Sequence, residues 1–248
     1  MQNKKYIASC SFGKDSIAAI ICRLERGEPV DGALYCRIMF DDEISAELPE
    51  HEEWIHSTAI PMLESRYGVA TTIVQDKMTY CSQFYTKYVK SKTKNGQYYG
   101  FPILLGPWCN SRLKIRPIQK WQKDAGDYVS IVGIAADEEK RIVRATVKGA
   151  VLPLVDYGIT EAEAFDICRK ADLLSPAYNN GRERLGCWFC HNQRIGELRR
   201  LRLEYPDLWL RLLEMEKDSF RTFKPGKTVS DFEDRFSRED AAAQEEQA

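Results

Sequence analysis

The stretch that most constrains this chain is "KYIASCSFGKDSIAAIICRLERG", residues 5–27. A short β-rich run leads into a turn that crowds two serines, a glycine, a lysine and an aspartate into Ser11–Ser16. Ile17, Ile20, Ile21 and Leu24 then recur at helical spacing, and Gly27 supplies a stop. A glycine-containing turn at a helix N-terminus aims several backbone N–H groups at one point, where the helix dipole adds positive potential. Ser11 and Ser16 can add hydroxyl donors and Lys14 a charge, so the turn reads as a phosphate cradle. Its spacing is neither Gly-x-x-x-x-Gly-Lys-Ser/Thr nor a dinucleotide fingerprint. The competing reading is a plain helix start, with Ser11 or Asp15 as cap and Gly13 taking an awkward dihedral.

Further strands are expected in "GALYCRIMF" (32–40), "VATTIVQ" (69–75) and "YVSIVGIAA" (128–136), with "AVLPLVDYG" (150–158) a shorter extended segment. A helix is expected over 47–68, with Pro49 suited to its first turn and Pro61 an interior fault. Thr160 and Glu163 have capping-box spacing and open a helix from about residue 161 to 173. Helices are also expected after "GCWFCHN" and from Pro206 through "DLWLRLLEMEKD". Alternating strands and helices predict an α/β fold, a three-layer α/β/α sandwich with a mostly parallel, doubly wound sheet. Ligands in such folds sit beyond the C-terminal ends of the strands. The turn after strand one, Asp41 and Asp42 after strand two, and "AADEEKR" (135–141) after strand four share that edge. The expected division is an α/β domain over 1–175, a helical extension with a cysteine pair over 176–235, and a flexible acidic tail over 236–248.

The chain has a formal net charge of −1, but its charges are segregated. Nine Lys or Arg and no acid lie between Lys87 and Lys123, and eight acids and no Lys or Arg between Asp41 and Glu64. Six arginines face two glutamates between Asn179 and Arg202. Either these are solvated faces or the two basic blocks meet a polyanion, a nucleotide or nucleic acid. No stretch approaches the roughly 20 apolar residues of a membrane span. No signal-like apolar segment follows the first residues, so a cytoplasmic location is expected. Eight cysteines in that setting point to metal or cluster ligands rather than disulfides.

"SFGKDS" resembles the PP-loop of the ATP pyrophosphatases, usually Ser-Gly-Gly-x-Asp-Ser. "FDDEISAELPEHEEWI", "WCNSRLKIRPIQKW" (108–121), "VGIAADEEKR" (132–141) and "LLSPAYNNGRERLGCWFC" (173–190) resemble, in order, the phosphoadenosine phosphosulfate (PAPS) reductase-like branch. The resemblance covers about residues 5 to 210. It implies an adenine-nucleotide α-hydrolase-like fold that binds ATP or a relative and acts at the α-phosphate. It implies that Ser11, Phe12, Gly13, Lys14, Asp15 and Ser16 hold the phosphates, and that the backbone near Met39 and Phe40 meets the adenine. Phe12 stands where the family has Gly, and Ala135 where it often has Arg, with Arg141 and Arg144 nearby.

Cys187-x-x-Cys190 offers two thiolates to one centre. Cys109 lies where the resemblance puts a further ligand, and sulfur-handling members carry a [4Fe–4S] cluster there. Three thiolates with one open iron would bind sulfide; Cys81 or His191 could instead complete a closed cluster or a zinc site, and a metal-free core is the third reading. Cys10, Cys22, Cys36 and Cys168 fall on apolar positions and read as small core residues. His51 and His56 have no partner pattern. Tyr85, Tyr88, Tyr98, Tyr99, Phe101, Trp108 and Trp121 interleave with the basic residues of 87–123, which suits either stacking on single-stranded nucleic acid or a packed lid.

A PAPS reductase uses a cysteine in a C-terminal Glu-Cys-Gly-Leu-His motif, and no cysteine follows Cys190. The favoured chemistry is therefore adenylation followed by displacement. Lys14, Asp15 and Asp41 are the expected catalytic residues, Mg²⁺ being held by Asp15 or Asp41. Glu138 and Arg141 would position nucleotide, and Arg112, Lys114 and Arg116 the acceptor's phosphate. Sulfur would reach the adduct from the Cys109, Cys187 and Cys190 centre, with a nucleic acid or small molecule as acceptor and a sulfur donor protein as partner. The alternatives are a sulfonucleotide reductase and a non-catalytic binding module with structural zinc.

Overall fold

The computed structural model describes residues 4–103, 106–146, 149–179 and 181–245, and of 144–146 the backbone alone. The expectation for Arg144 therefore lies outside the described side chains. In chain order the elements are β1 (Lys5–Ser9), α1 (Lys14–Glu25), β2 (Gly32–Cys36), α2 (Pro49–Trp54), α3 (Ile60–Tyr67), β3 (Thr71–Val74) and α4 (Tyr80–Phe84). There follow α5 (Arg116–Ala125), β4 (Tyr128–Val132), α6 (Glu139–Thr146), α7 (Pro153–Asp156), α8 (Glu161–Lys170), α9 (Ile195–Glu204), α10 (Pro206–Lys217) and α11 (Val229–Glu245). They form two compact units, each assembled from three pieces of chain. Unit 1 is Met1–Arg37, Glu47–Asp76 and Lys114–Leu185; unit 2 is Ile38–Ala46, Lys77–Leu113 and Gly186–Ala248.

Unit 1 is the expected α/β fold, a four-stranded sheet of order β3-β2-β1-β4 with every pair parallel. The chain steps outward from β1 to β3, then returns to add β4 on the other side of β1. Trp54, Ile55, Ala59 and Leu63 of the α2–α3 segment pack with α1 in one core, and a strand order that reverses at β1 is that of a doubly wound sheet. Helix α1 is buried from Ser16 to Arg23. Its isoleucines pack with Ala8, Ala33, Tyr35 and Ile131 of the strands and with Leu154, Ala164 and Cys168 of α7 and α8.

Several boundaries differ from expectation for local reasons. Strand β2 stops at Cys36, because Ile38–Ala46 belongs to unit 2, where Phe40 N–H donates to the Ile44 carbonyl at 2.8 Å. Strand β4 stops at Val132, before Gly133, which packs on α1. Of the segment 150–158 only Val151 bridges Ile131, and Pro153 starts α7. The helix expected over 47–68 forms as α2, a π turn at Ile55–Ala59 and α3. Pro61 has no N–H for the regular ladder, and the widened turn lies immediately ahead of it. The capping box of α8 is complete, with Thr160 N–H on Glu163 Oε2 at 2.8 Å and Glu163 N–H on Thr160 Oγ1 at 3.3 Å.

Unit 2 is built on an aromatic core. Phe40, Tyr80, Trp108, Trp188 and Phe189 are all under one-tenth exposed, with the Tyr80 ring 4.1 Å from Phe189 and 4.8 Å from Trp108. The acidic segment expected to be flexible continues α11 to Glu245. Phe232 and Phe236 are buried, Arg202 pairs with Glu233 at 2.9 Å and Asp240 at 2.7 Å, and Arg199 pairs with Glu239 and Asp240. No helix among the described residues is long and apolar enough to cross a membrane.

Candidate functional site

The loop of residues 10–16 joins β1 to α1 where the strand order reverses, the crevice in which doubly wound sheets bind ligands. Its N-cap is Gly13, and no side chain caps the helix. Neither Ser11 nor Asp15 thus plays the plain capping role. Lys14 N–H donates to Tyr178 Oη at 3.1 Å, while Ser16 N–H and Ile17 N–H turn back to the Gly13 carbonyl. The N–H groups of Gly13 and Asp15 have no partner among the described residues. Phe12 has φ 57, yet its ring is wholly buried and meets Tyr35 edge-on at 5.1 Å. Its contribution to the cradle is therefore backbone only, and the ring fastens the loop to the core.

A cavity of about 200 Å³ opens over this loop. Ser9, Ser11 and the Gly13–Ser16 turn form its floor, and Lys114, Arg141, Arg184 and Tyr178 contribute to its walls. Gly133 is the tightest part of the lining. A Cβ there would lie 2.3 Å from the Asp15 carbonyl oxygen and 2.6 Å from Ser16 N, so only glycine lets β4 approach the first turn of α1.

Lys14 departs from its expected role. Its side chain is 2% exposed and its ammonium is held by Asp15 at 2.8 Å and Glu161 at 3.5 Å, above the Phe165 ring. That charge is balanced within the protein, as is that of Arg141 by Glu138, and Lys114 and Arg184 are the other cations of the wall. Asp15, Glu138 and Glu161 bring carboxylate oxygens within 4.8 Å of one another. Glu138 also holds Arg141 at 2.6 Å. Mg²⁺ takes one or two carboxylates plus phosphate oxygens, so a pair drawn from this trio has the chemistry for such an ion, in exchange for its present contacts with Lys14 and Arg141.

Asp41 is placed otherwise. It belongs to unit 2, where Oδ1 accepts the N–H groups of Glu43 at 2.9 Å and Ile44 at 2.7 Å, and Oδ2 accepts Arg211 at 2.6 Å. Burial pushes its carboxyl up, but those two amides and Arg211 outweigh it and the value is lowered. Asp41 is a turn-former with its oxygens committed. Met39 and Phe40 are also in unit 2. The Met39 carbonyl accepts Tyr80 N–H and the Phe40 carbonyl accepts Cys81 N–H, so these backbone groups, expected to meet adenine, already tie α4 to the 38–46 segment. Of the expected acceptor residues, Lys114 lines the cavity and Arg116 is a largely exposed partner of Asp76. Arg112 lies in unit 2, bonded to Gln83 and 5.2 Å from the Tyr99 ring.

Sequence reasoning missed Gly133, Tyr178, Glu161 and the pair Glu47–His51. His51 is 1% exposed; its Nδ1 is 2.8 Å from Ser175 Oγ, which accepts the Ala177 N–H of the turn carrying Tyr178. Its buried Nε2 has no hydrogen-bond partner and lies 4.0 Å from Glu47. Burial pushes Glu47 up to about 7, with Glu52 adding and Lys114 opposing. Burial pulls His51 down to about 4 against the backbone of Ser11. The Glu47 contribution to stability is complete below its ordinary 4.5 and is lost as pH rises to about 7. The His51 contribution is complete above 6.5 and is lost as pH falls to about 4. The two slopes oppose each other in between. Glu47→Gln is therefore expected to leave the His51 slope exposed, costing on the order of 3 kcal/mol on acidification. His51→Gln should reverse the slope, with stability rising by a similar amount as pH falls. Urea unfolding across the range checks both, and parallel curves for the two variants would refute the coupling.

Cys81, Cys109, Cys187 and Cys190 all belong to unit 2. Each is the chain neighbour of an aromatic residue of the core: Tyr80, Trp108, Trp188 and Phe189. The Tyr80 hydroxyl is buried without a partner, and its ionisation is raised by burial and then by Cys109, Cys190, Cys81 and Cys187. Burial raises Cys109 to about 11, with Cys190 adding to it. Tetrahedral zinc with bonds of about 2.3 Å needs sulfurs roughly 3.8 Å apart. Among the described residues, Cys109, Cys187 and Cys190 do not come within 4.8 Å of one another as a set. Burial lifts Cys81 to about 12, with Asp41 adding and Arg211 opposing.

No family profile matches the chain. An uncharacterized protein of Methanocaldococcus jannaschii, MJ0066, is 27% identical over 218 residues, covering 83% of this chain and 40% of that protein. The chain thus spans about two-fifths of the length of that relative. A solved structure of phosphoadenylyl-sulfate (PAPS) reductase from Candida auris, a phosphate complex, is similar over 75% of this chain and 83% of its own, at 12% identity and a TM-score of 0.48.

Proposed function

We propose that this chain is a PAPS reductase-like PP-loop enzyme that binds ATP or a related adenine nucleotide and cleaves it at the α-phosphate to adenylate a substrate. The observation that carries this reading is the cavity at the β1/β4 switch point, floored by the unpartnered amides of Gly13 and Asp15 and walled by Lys114, Arg141 and Arg184. Its volume suits a phosphate tail rather than a whole nucleotide. An acceptor oxygen attacks the α-phosphorus, the bond from that phosphorus to the bridging oxygen breaks, and pyrophosphate leaves. The loop amides and wall cations stabilise the charge that gathers on the departing group. Asp15, with Glu138 and Glu161 beside it, would hold Mg²⁺, which supplies charge neutralisation. Cys109, Cys187 and Cys190 would hold a [4Fe–4S] cluster, which when bound would carry exogenous sulfide; as sulfide bonds to the adenylated substrate the bond to AMP breaks and AMP leaves. The acceptor is a nucleic acid or a small molecule.

The test is pyrophosphate release from ATP with and without single-stranded RNA or DNA. Asp15→Ala is expected to lower release by about 100-fold or more. Equal, negligible release by wild type and variant in every condition would replace this reading with a non-catalytic nucleotide-binding module.

A further inference from the structure

Unit 2 carries a second cavity, of about 370 Å³, on which the phosphate chemistry of unit 1 makes no call. Pro102, Ile103, Phe220, Phe223 and Pro225 give it apolar walls, and His191 and Lys224 supply polar groups. Ile103 is 49% and Phe220 42% exposed, so this wall faces solvent. His191 is 4% exposed, and its Nε2 has no hydrogen-bond partner. That buried ring nitrogen is a hydrogen-bonding group able to serve as donor or acceptor. The Lys224 ammonium is engaged by the carbonyls of His191 at 2.5 Å and Gln193 at 2.6 Å, which fixes the turn that presents the histidine. The site is thus an aromatic and proline-lined slot with one unspent hydrogen-bonding edge.

Beside it stands a hairpin over residues 86–99. Tyr88 N–H bonds the Gln97 carbonyl and Tyr99 N–H the Thr86 carbonyl, both at 2.9 Å, and Gly96, with φ 82, allows the return. Lys87, Lys90 and Lys92 are exposed on it, Lys87 lying 5.2 Å from the Tyr98 ring, and Lys94 is half-buried; among the described residues none pairs with a carboxylate. The segment Lys77–Leu113 contains no acid at all. A ladder of rings and cations links hairpin to cavity. Tyr88 stacks on Tyr99 at 4.2 Å and 10°, Phe220 follows at 6.3 Å, and Lys94 lies over both Tyr88 and Phe220. Arg221 bonds the Tyr88 hydroxyl at 2.8 Å and lies 4.8 Å from the Phe220 ring.

We infer that this face of unit 2 binds a single-stranded nucleic acid, with one unstacked base in the cavity and the flanking phosphates on the lysines of the hairpin. The inference deepens the acceptor class proposed above, but uses unit 2 alone. A free nucleotide would need the cavity and at most one or two cations. A row of unneutralised lysines running away from it suits a polymer with repeated phosphates. Splayed bases are read by aromatic or guanidinium stacking and by hydrogen bonds to their edges, which are the groups found here.

The test is fluorescence anisotropy with full-length protein and labelled single strands of about 12 nucleotides, RNA and DNA in parallel arms, over roughly 50 to 200 mM salt. Replacing Lys87, Lys90 and Lys92 together by Ala should reduce the slope of log affinity against log salt by roughly 2. Phe220→Ala should weaken binding about 5- to 150-fold, with a smaller change in salt slope. Phe220→Leu, which keeps the apolar bulk without the ring, separates stacking from misfolding and should also bind weakly. His191→Ala should narrow the spread of affinities among homopolymers. Preference for either strand type supports the inference and names the acceptor. An unchanged slope in the lysine variant overturns it. So does heparin binding with the same response to both variants, or a mononucleotide binding as tightly as the oligomer. Asp15→Ala protein should bind oligonucleotide as wild type does, so failure of ATP cleavage leaves this result standing.

Discussion

Phe12→Ala is expected to destabilise unit 1 by about 3–5 kcal/mol, and Phe12→Gly by about 1 kcal/mol less. The order is unusual, since glycine seldom replaces a buried aromatic residue better than alanine does. It follows from two observations: the ring is wholly buried against Tyr35, and the backbone beneath it sits at φ 57. Both variants lose the ring, but only alanine keeps the left-handed penalty. The ring burial outweighs that strain in the wild type, and so holds the loop amides in place. Urea unfolding of the three proteins decides the matter; alanine equal to or better than glycine would show that the loop relaxes out of the left-handed conformation.

Gly133→Ala is expected to abolish the pyrophosphate release proposed above. A methyl group at 2.3 Å from the Asp15 carbonyl meets main chain, which cannot swing aside as a long side chain can. Either the first turn of α1 or the end of β4 must move, and both floor the same cavity. Overpacking of this kind costs typically 1–3 kcal/mol, so the variant should fold with reduced stability while losing activity. Gly196→Ala is the control. It lies in α9 with nothing within 4 Å of the added methyl, and should gain roughly 0.5–1 kcal/mol. Retained activity in Gly133→Ala would mean that the alignment of loop and strand is looser than these distances require.

What was legible in the sequence was local. The strand–turn–helix of 5–25, the capping box of α8 and the kink at Pro61 each follow from residues within one turn of each other. The parallel sheet followed because alternation constrains topology strongly. Contacts across long stretches of chain were not legible. Nothing near Lys14 announces that Glu161 will take its charge, or that Tyr178 will take its amide. Nor does anything near Asp41 announce that Arg211 will pair with it. The four cysteines did carry a readable signal, since each adjoins an aromatic residue in sequence. Such dipeptides place thiols around a shared core whenever their rings pack together.

The chain passes between the two units five times, after residues 37, 46, 76, 113 and 185. Neither can therefore be isolated by trimming: a cut after 46, 76 or 113 severs both units, one after 37 severs unit 1 alone, and one after 185 severs unit 2 alone. During synthesis the aromatic core of unit 2 must wait for Trp188 and Phe189, which follow the last residue of unit 1. The segments 38–46 and 77–113 meanwhile hang as two unclosed loops from a sheet able to form first.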